Sequence, residues 1–228
     1  MVHLLVLGGN GRTGQYGIQY ALEKGHTVTA IVRKSSSLQP QKGLNIVTGS
    51  VSNPEDVDRA ISAAPPIDGV AVFLNASRTS DMPWAKLVVP PRFITDAVAN
   101  VANSIHKTAP ITNTRLVVMS AIGVGDSWEV APWFLRVMIS KTNLGTTYTD
   151  HNCLDGEIAS IAGKGIVWTL VRAVGLSSSG RKQVKVFGSN KPGAGYTITR
   201  ESCANWMIDA ADGTLGSEYD NKAVIVSN

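Results

Sequence analysis

A glycine-rich segment near the start of the chain has the residue types and spacing of a phosphate-binding turn. It reads Gly8-Gly9-Asn10-Gly11-Arg12-Thr13-Gly14 and satisfies both G-x-G-x-x-G and G-x-x-G-x-x-G. Glycine suits this chemistry because the turn needs backbone angles that are closed to larger residues, and because the backbone must approach a pyrophosphate without an intervening Cβ. A helix that begins at the end of the turn would point its unpaired N–H groups at the phosphates.

The flanking residues strengthen a motif that is weak on its own. An apolar run, Leu4–Leu7, ends at the first glycine, and an apolar-periodic stretch predicts a helix over Thr13–Lys24. The alternative is a strand-to-helix turn whose glycines are incidental. We predict a dinucleotide site, with the pyrophosphate bound by Gly8, Asn10, Gly11, Arg12, Thr13 and Gly14.

The second predicted strand indicates which dinucleotide is bound. An NAD-binding chain usually ends this strand with Asp or Glu, which accepts a hydrogen bond from the ribose 2′-OH. Here the strand is followed by Arg33, Lys34 and Ser35. Arg33 can pair with a 2′-phosphate and Lys34 lies close enough to help, so the sequence favours NADP. The alternative is that both cations are a solvated strand end.

Apolar runs alternate with helical patterns along the chain, as in a parallel sheet covered by helices on both faces. The predicted strands are His3–Leu7, Thr27–Val32, Asn45–Thr48, Val70–Leu74, Leu116–Ser120, Val167–Val171 and Ala223–Val226. The predicted helices are Thr13–Lys24, Pro54–Ala63, Pro91–Lys107, Trp133–Ser140, Thr146–Ala162 and Glu201–Ala211. This order predicts an α/β protein with a Rossmann-like, doubly wound parallel sheet, in a single domain over residues 1–228.

Three stretches interrupt the alternation and follow the fourth, fifth and sixth predicted strands. They span about 76–90, 122–132 and 176–199, and we predict that they form substrate-binding loops, because ligands of open α/β sheets bind at the carboxyl ends of the strands. Trp84, Trp128 and Trp133 fall in or beside these loops. They are candidates for the walls of a pocket for a flat, apolar substrate. Equally, they could pack the loops onto the sheet or form a dimer contact.

The glycine-rich run from Leu5 to Gly14, followed by Ala30-Ile31-Val32-Arg33, resembles the NmrA-like atypical short-chain dehydrogenase/reductase family. The resemblance is strongest to its small NAD(P)H-binding members of the biliverdin reductase B, or flavin reductase, type. It extends through Val47–Val51, Val118–Ala121 and Val167–Arg172, and thins after Leu176.

The resemblance implies further cofactor contacts. A family segment G-D-V lies near the adenine and corresponds here to Gly49-Ser50-Val51, so Ser50 and Val51 take that place. A family R-P at the sixth strand becomes Arg172-Ala173, which removes a rigid turn beside the nicotinamide. The other implied contacts along the cofactor are Asn75, Ala76, Ser120, Ala121 and Ala173.

Candidates for proton transfer are few. The Tyr-x-x-x-Lys pair of short-chain dehydrogenases occurs once, as Tyr20 and Lys24 on the first predicted helix, far from any nicotinamide. Tyr148 lies in the expected region, but the residue four positions later is Asn152. A dedicated proton relay is therefore absent from the sequence.

Two further side chains complete the set of candidate catalytic residues with Tyr148. His151 is a candidate proton donor, because histidine can donate near neutral pH and resembling reductases carry a histidine near this position. A structural role for His151 is the alternative. Ser120, at the end of the fifth predicted strand, is placed to hydrogen-bond the nicotinamide or the substrate, and without a neighbouring base it is no nucleophile.

Composition excludes several other classes of function. A net charge of +4 without a run of Lys and Arg argues against nucleic-acid binding and fits a basic pocket for an anionic ligand. No apolar stretch approaches the ~20 residues of a membrane span, and two cysteines argue against a disulfide framework. We expect no signal peptide before the first strand. The histidines are scattered, so we expect no metal site. We expect a soluble, cytoplasmic protein.

The sequence thus favours an NADPH-dependent reductase of a small, aromatic or polycyclic organic substrate. The missing Tyr/Lys pair leaves open a non-redox isomerase, cyclase or dehydratase on the same scaffold. A third hypothesis is an NmrA-like regulatory protein that senses a dinucleotide and turns nothing over. The fold alone cannot choose among these, and the oligomeric state stays open.

Overall fold

A computed structural model describes residues 1–63, 66–80, 82–108 and 113–228. In these residues the strands are β1 (His3–Leu7), β2 (Thr27–Val32), β3 (Leu44–Thr48), β4 (Gly69–Val72), β5 (Arg115–Ala121), β6 (Val167–Ala173), β7 (Gly175–Ser177), β8 (Lys185–Gly188), β9 (Thr197–Thr199) and β10 (Lys222–Ser227). The helices are α1 (Gly14–Glu23), α2 (Pro54–Ser62), α3 (Phe93–Thr108), α4 (Trp133–Lys141), α5 (Leu144–Ala162) and α6 (Arg200–Ala211).

The main sheet has the strand order β3-β2-β1-β4-β5-β6-β10-β8. All neighbouring pairs from β3 to β10 are parallel, and β8 joins the edge antiparallel to β10. This confirms the predicted Rossmann-like α/β class. The order reverses direction between β1 and β4, which is the place where such sheets open a crevice for a ligand at their carboxyl ends.

Alternating side chains of the strands feed two separate cores. Leu4 and Val6 of β1 pack into a core with residues of α1 and α6, whereas Leu5 and Leu7 pack into one with residues of α2, α3 and α5. All four side chains are buried. Because both faces of the sheet are covered, the strand is apolar throughout instead of alternating with polar residues.

Local chemistry explains how two of the helices begin and end. The Asn53 side chain accepts a hydrogen bond from the backbone N–H of Glu55 at 3.1 Å, and Pro54 occupies the first position of α2. After α1, Gly25 takes a φ of +79° and its N–H donates to Leu22 O. A left-handed glycine of this kind ends a helix at little cost.

The prediction that residues 176–199 form a loop is wrong in one respect, because the segment contains three short strands. β7 and β9 form a parallel two-stranded sheet in which Leu176 pairs with Ile198, and β8 lies between them in sequence and extends the main sheet. These strands are only three or four residues long. Strands this short carry no readable period, and their partners are remote in sequence, so a pattern search misses them.

The Tyr20 and Lys24 pair of α1 contacts α6. The Tyr20 hydroxyl donates to Asp209, and the Lys24 ammonium lies 2.6 Å from Asp209 Oδ1 and 2.5 Å from Asp212 Oδ2. His26 Nε2 is 2.9 Å from the same Asp212 oxygen. The Tyr20 and Lys24 motif therefore links α1 to α6.

Candidate functional site

The glycine-rich turn has the close backbone approaches that glycine permits. Gly8 has a φ of +75°, and a Cβ built on it would lie 2.8 Å from the Phe73 carbonyl carbon at the end of β4. A Cβ on Gly14 would lie 2.8 Å from Gly9 Cα and nearer still to the Gly8 carbonyl oxygen. The Gly11 N–H donates to Gly8 O at 3.0 Å. The start of α1 therefore packs directly on the turn, and the N-terminus of a helix at such a turn is a common site for phosphate.

A cavity of about 380 Å³ lies at this crevice, which we call the cofactor cavity. The predicted cofactor residues among its walls are Gly8, Asn10, Gly11, Arg12, Thr13, Arg33, Ser50, Val51 and Asn75. Ser77 and Val89 of the predicted loop 76–90 also line it, and walls that the sequence did not indicate include Phe73, Phe93, Met119 and Arg200. Most of these follow β4 or come from later segments, so only the folded chain brings them to the turn.

Six predicted cofactor residues are not among these walls: Ser120, Ala121 and Ala173 line a second cavity described below, whereas Gly14, Ala76 and Lys34 line neither. Gly14 packs behind the turn, against Gly8 and Gly9. Ala76 is buried, and its neighbour Ser77 lines the cavity instead. Lys34 is exposed at the surface, one residue beyond Arg33.

The Gly49-Ser50-Val51 segment is held by a carboxylate from α2. Asp56 Oδ2 accepts a hydrogen bond from the Ser50 N–H at 2.8 Å, and Asp56 Oδ1 lies 2.7 Å from Arg59. The hydrogen bond from the Ser50 N–H, and after it the bond from Arg59, lower the pKa of Asp56 and keep it ionised. The turn is therefore fixed by Asp56, which leaves the Ser50 and Val51 side chains at the cavity wall.

A second cavity of about 310 Å³, the middle cavity, continues from the first. The two share Leu74, Asn75, Met119, Leu176 and Arg200. The middle cavity brings together Ser120 from β5 with Tyr148 and His151 from α5, and Ala121 and Ala173 also line it. Tyr148 and His151, which follow Ser120 by 28 and 31 positions in the sequence, thus line the same cavity as Ser120.

Two buried polar atoms at the middle cavity lack hydrogen-bond partners among the described residues. They are Ser120 Oγ and His151 Nδ1, and both residues are at least nine-tenths buried. A buried polar atom left unpaired costs free energy, so such atoms commonly have a ligand or ordered water as partner. Each atom exposes less than 1 Å² to the cavity, so a ligand can reach it only after its side chain moves.

Tyr148 is not arranged as a proton donor. Its hydroxyl donates to Ile122 O at 3.0 Å, and burial raises the pKa of Tyr148 to about 12. The proton is thus committed to the backbone of the loop after β5. The bond gives Tyr148 a role in fixing that loop, and its catalytic role stays a prediction.

The environment of His151 also differs from the expectation. Burial lowers the pKa of His151 to about 4, an effect that Asp150 opposes and Arg172 reinforces. The imidazole is therefore neutral at neutral pH and cannot serve there as an imidazolium donor.

A third cavity of about 260 Å³, the apolar chamber, adjoins the middle cavity. The two share Ile122, Leu135, Val174 and Gly175. The remaining walls of the apolar chamber are Val130, Pro132, Phe134, Ala194, Gly195 and Tyr196. Their side chains offer ring faces and aliphatic groups, which suits an apolar ligand.

The three candidate Trp residues do not line any of these cavities. Trp84 is 63% exposed and Trp133 is 72% exposed, whereas Trp128 is half-buried. At the start of α4, Phe134 faces the apolar chamber, and Trp133, the preceding residue, points to a different side of the helix and meets Phe134 edge-on. Exposure does not separate the tryptophans from the chamber walls, because Tyr196 is also 72% exposed, and substrate binding at this loop stays a prediction.

Arg172 connects the loop after β5 with α5. It is 2% exposed and donates to Val124 O, to Asp126 Oδ1 at 2.8 Å and to Asp155 Oδ2 at 2.8 Å. Asp126 in turn accepts from Ser189. Burial raises the pKa of Asp155, and the Arg172 charge opposes that shift. An arginine inside an otherwise apolar strand was the sequence signal for this network.

In the described ranges, no helix is both long and apolar enough to cross a membrane. In that same part of the chain, no three His, Cys, Asp or Glu side chains are grouped so that they could hold a metal ion.

Comparisons with known proteins agree with this geometry. A reductase from Aspergillus terreus, pytE, is 23% identical over 91% of this chain and 90% of its own length. An isoflavone reductase homolog from Nicotiana glauca is 22% identical over 92% of this chain, which spans 64% of that protein.

Solved structures share the fold. An anaerobilin reductase from Escherichia coli, ChuY, superposes with a TM-score of 0.76 at 15% identity, covering 99% of this chain and 96% of its own. A short-chain dehydrogenase/reductase from Veillonella parvula in complex with NADP has a TM-score of 0.74 at 16% identity, covering 100% and 94%. The sequence model of the NAD(P)H-binding family matches residues 8–214, and the chain therefore belongs to that family.

Proposed function

We propose that this protein is an NADPH-dependent reductase of a small aromatic or polycyclic organic compound. The observation that carries the proposal is a row of three adjoining cavities, which together we call the cleft. It runs from the glycine-rich turn through the middle cavity to the apolar chamber, with shared walls at both junctions. Such a cleft can hold a dinucleotide along its polar part and an apolar substrate at its far end. The reductases among the relatives support the same reaction class.

The residues of the cleft fit an extended dinucleotide. The backbone of the glycine-rich turn would bind the pyrophosphate, and Arg33 would bind the 2′-phosphate. Ser120 Oγ, which is buried without a partner among the described residues, would have to rotate towards the cavity to hydrogen-bond the nicotinamide. When bound, NADPH supplies the hydride, and the protein contributes binding, orientation and exclusion of water.

The proton that accompanies reduction would come from water in this proposal. The Tyr148 hydroxyl already donates to Ile122 O, and His151 is neutral because burial lowers its pKa to about 4. Neither residue is therefore suited to deliver a proton at neutral pH. A substrate whose reduced product is protonated readily by solvent, such as a quinone or a flavin, fits this site best.

The apolar chamber supports an aromatic substrate. The rings of Phe134 and Tyr196 lie 6.2 Å apart and are tilted by 52°. Stacked and tilted ring contacts favour planar, weakly polar compounds over flexible or charged ones. We assign substrate binding to these two residues in place of the three tryptophans.

The test is direct. Purified protein is mixed with NADPH and a panel of quinones, flavins and enones, and the nicotinamide absorbance is followed. We expect NADPH to be oxidised in the presence of at least one planar acceptor. Conversion of a substrate without oxidation would instead indicate a non-redox enzyme, and tight NADPH binding with no conversion would indicate a dinucleotide sensor. Either outcome contradicts the proposal.

A further inference from the structure

The two-stranded sheet of β7 and β9 brings two remote polar residues together. Ser177 of β7 pairs with Thr199 of β9, and the strands are parallel. The residues that follow them, Ser178 and Arg200, therefore emerge at the same end of the sheet. The Arg200 guanidinium donates to Ser178 Oγ at 2.9 Å.

Arg200 lies where the parts of the cleft meet. It lines the cofactor cavity together with the glycine-rich turn, and it lines the middle cavity together with Ser120. It also lines a side pocket that contains Arg12 and Ser178. Because Arg200 lines both the cofactor cavity and the middle cavity, it lies beside the part of the cleft that joins the adenosine end to the nicotinamide end. In a bound dinucleotide, the pyrophosphate would occupy that part of the cleft.

We propose that Arg200 is a pyrophosphate-binding residue of the cofactor site and that Ser178 positions its guanidinium. The glycine-rich turn offers the phosphates backbone N–H groups and the partial charge of a helix end. Arg200 adds a full positive charge and a planar set of donors from the other side of the cleft. The proposal needs only the dinucleotide of the family and is independent of the reaction catalysed.

The proposal predicts a pattern that separates Arg200 from Arg33. The pyrophosphate is common to NADPH and NADH, whereas the 2′-phosphate is present only in NADPH. Loss of Arg200 should therefore weaken both cofactors by the same factor. Loss of Arg33 should weaken NADPH alone.

The experiment measures dissociation constants by fluorescence titration of the purified full chain with NADPH and NADH. Adenosine 2′-monophosphate, which lacks the pyrophosphate, is measured by competition. For Arg200→Gln we expect a loss of about 10-fold to 100-fold for both dinucleotides, as for a lost charge-assisted hydrogen bond, and unchanged binding of adenosine 2′-monophosphate. For Arg33→Gln we expect NADPH and adenosine 2′-monophosphate to weaken and NADH to stay unchanged.

Further variants test the role of Ser178 and the specificity of the effect. Ser178→Ala should weaken both dinucleotides by the same few-fold factor, and Ser178→Thr, which keeps the hydroxyl, should restore binding. Arg200→Lys should retain part of the affinity. Arg181→Gln removes an exposed arginine of the same segment that lines none of these cavities, and it should leave both constants unchanged. Equal unliganded melting temperatures confirm that the variants fold.

Two results would overturn the assignment. If Arg200→Gln weakens only NADPH, the residue binds the 2′-phosphate. If both dissociation constants stay at the wild-type value while the KM of a reducible substrate rises, Arg200 binds the substrate. Should Arg200→Gln fail to fold, the same comparison is made with Arg200→Lys and Ser178→Ala.

Discussion

The two ends of the cleft are built in different ways. The phosphate end is formed largely by the backbone of one contiguous turn, where Gly8 and Gly14 have no room for a Cβ. The apolar chamber is formed by side chains from separate segments, such as Phe134 at the start of α4 and Tyr196 just before β9. The phosphate end therefore depends on backbone shape and tolerates little change. The chamber depends on side-chain volume and can be altered one residue at a time.

The largest effect is expected at the backbone of the turn. Gly14→Ala places a Cβ 2.8 Å from Gly9 Cα, and relieving this clash must shift the turn or the start of α1. We expect destabilisation of about 1–3 kcal/mol, as for overpacking, together with loss of measurable NADPH binding. Thermal unfolding and fluorescence titration measure the two effects.

The matched control for this prediction is Gly156→Ala in α5. A Cβ there meets nothing within 4 Å, so alanine should stabilise the helix by about 1 kcal/mol through its higher helix propensity. If Gly14→Ala and Gly156→Ala gave equal changes in thermal stability and NADPH binding, the turn would not be the rigid element described above.

A charge reversal at the end of β2 should come next in size. Arg33→Glu replaces the proposed partner of the 2′-phosphate with a repelling charge, and we expect NADPH to bind about 100-fold more weakly. NADH should change little. Lys34→Glu, one residue further along and outside the cavity walls, should have a much smaller effect in the same titration. Equal weakening of NADPH and NADH by Arg33→Glu would refute the 2′-phosphate role.

The middle of the cleft should make the protein sensitive to acid. Burial lowers the folded-state pKa of His151 from 6.5 to about 4, so between these values the unfolded chain binds a proton that the folded chain does not. Above about pH 6.5, His151 is neutral in both the folded and the unfolded chain. As the pH falls towards 4, proton binding by the unfolded chain lowers the free energy of unfolding by about 3 kcal/mol. Urea unfolding of wild type and His151→Gln across this range should show a steeper loss in the wild type. Parallel curves would contradict the burial of a neutral imidazole.

The smallest effects are expected at the apolar chamber. Phe134→Ala removes one ring of the proposed substrate site and should raise the KM of a planar acceptor about tenfold through lost apolar contact. The dissociation constant of NADPH should not change. Trp84→Ala, which removes an exposed ring, is the control and should leave both values within about twofold of wild type. A larger effect from Trp84 than from Phe134 would restore the tryptophans as substrate residues.

The same contrast explains what could be predicted from the sequence. The turn and β2 are short, local patterns, and the sequence identified Gly8, Arg12, Arg33 and Ser120 as cleft residues because strand ends in this fold fall at one edge. Arg200 was missed because its placement depends on β7 and β9, two three-residue strands whose paired residues lie 22 positions apart in the sequence.

The catalytic assignments show a second limit of the sequence. Tyr148 and His151 were correctly placed near Ser120, but their protonation depends on burial and on the Ile122 carbonyl. Neither is visible in a linear pattern. The choice between Trp133 and Phe134 depended on which of two adjacent residues of α4 faces the cavity. Hydrophobic periodicity does not fix the orientation of a helix to within one residue.

The link between α1 and α6 has a consequence for how the chain folds. Lys24 and Asp209 are separated by 185 residues, and α1 and α6 together cover one face of the sheet. That core is therefore completed only when nearly the whole chain is available. Contacts this distant in sequence slow folding, because a long segment must be ordered before they form. A fragment that stops before Arg200 would leave Leu4, Val6 and Ile18 without the helix that covers them, and it is expected to aggregate rather than fold.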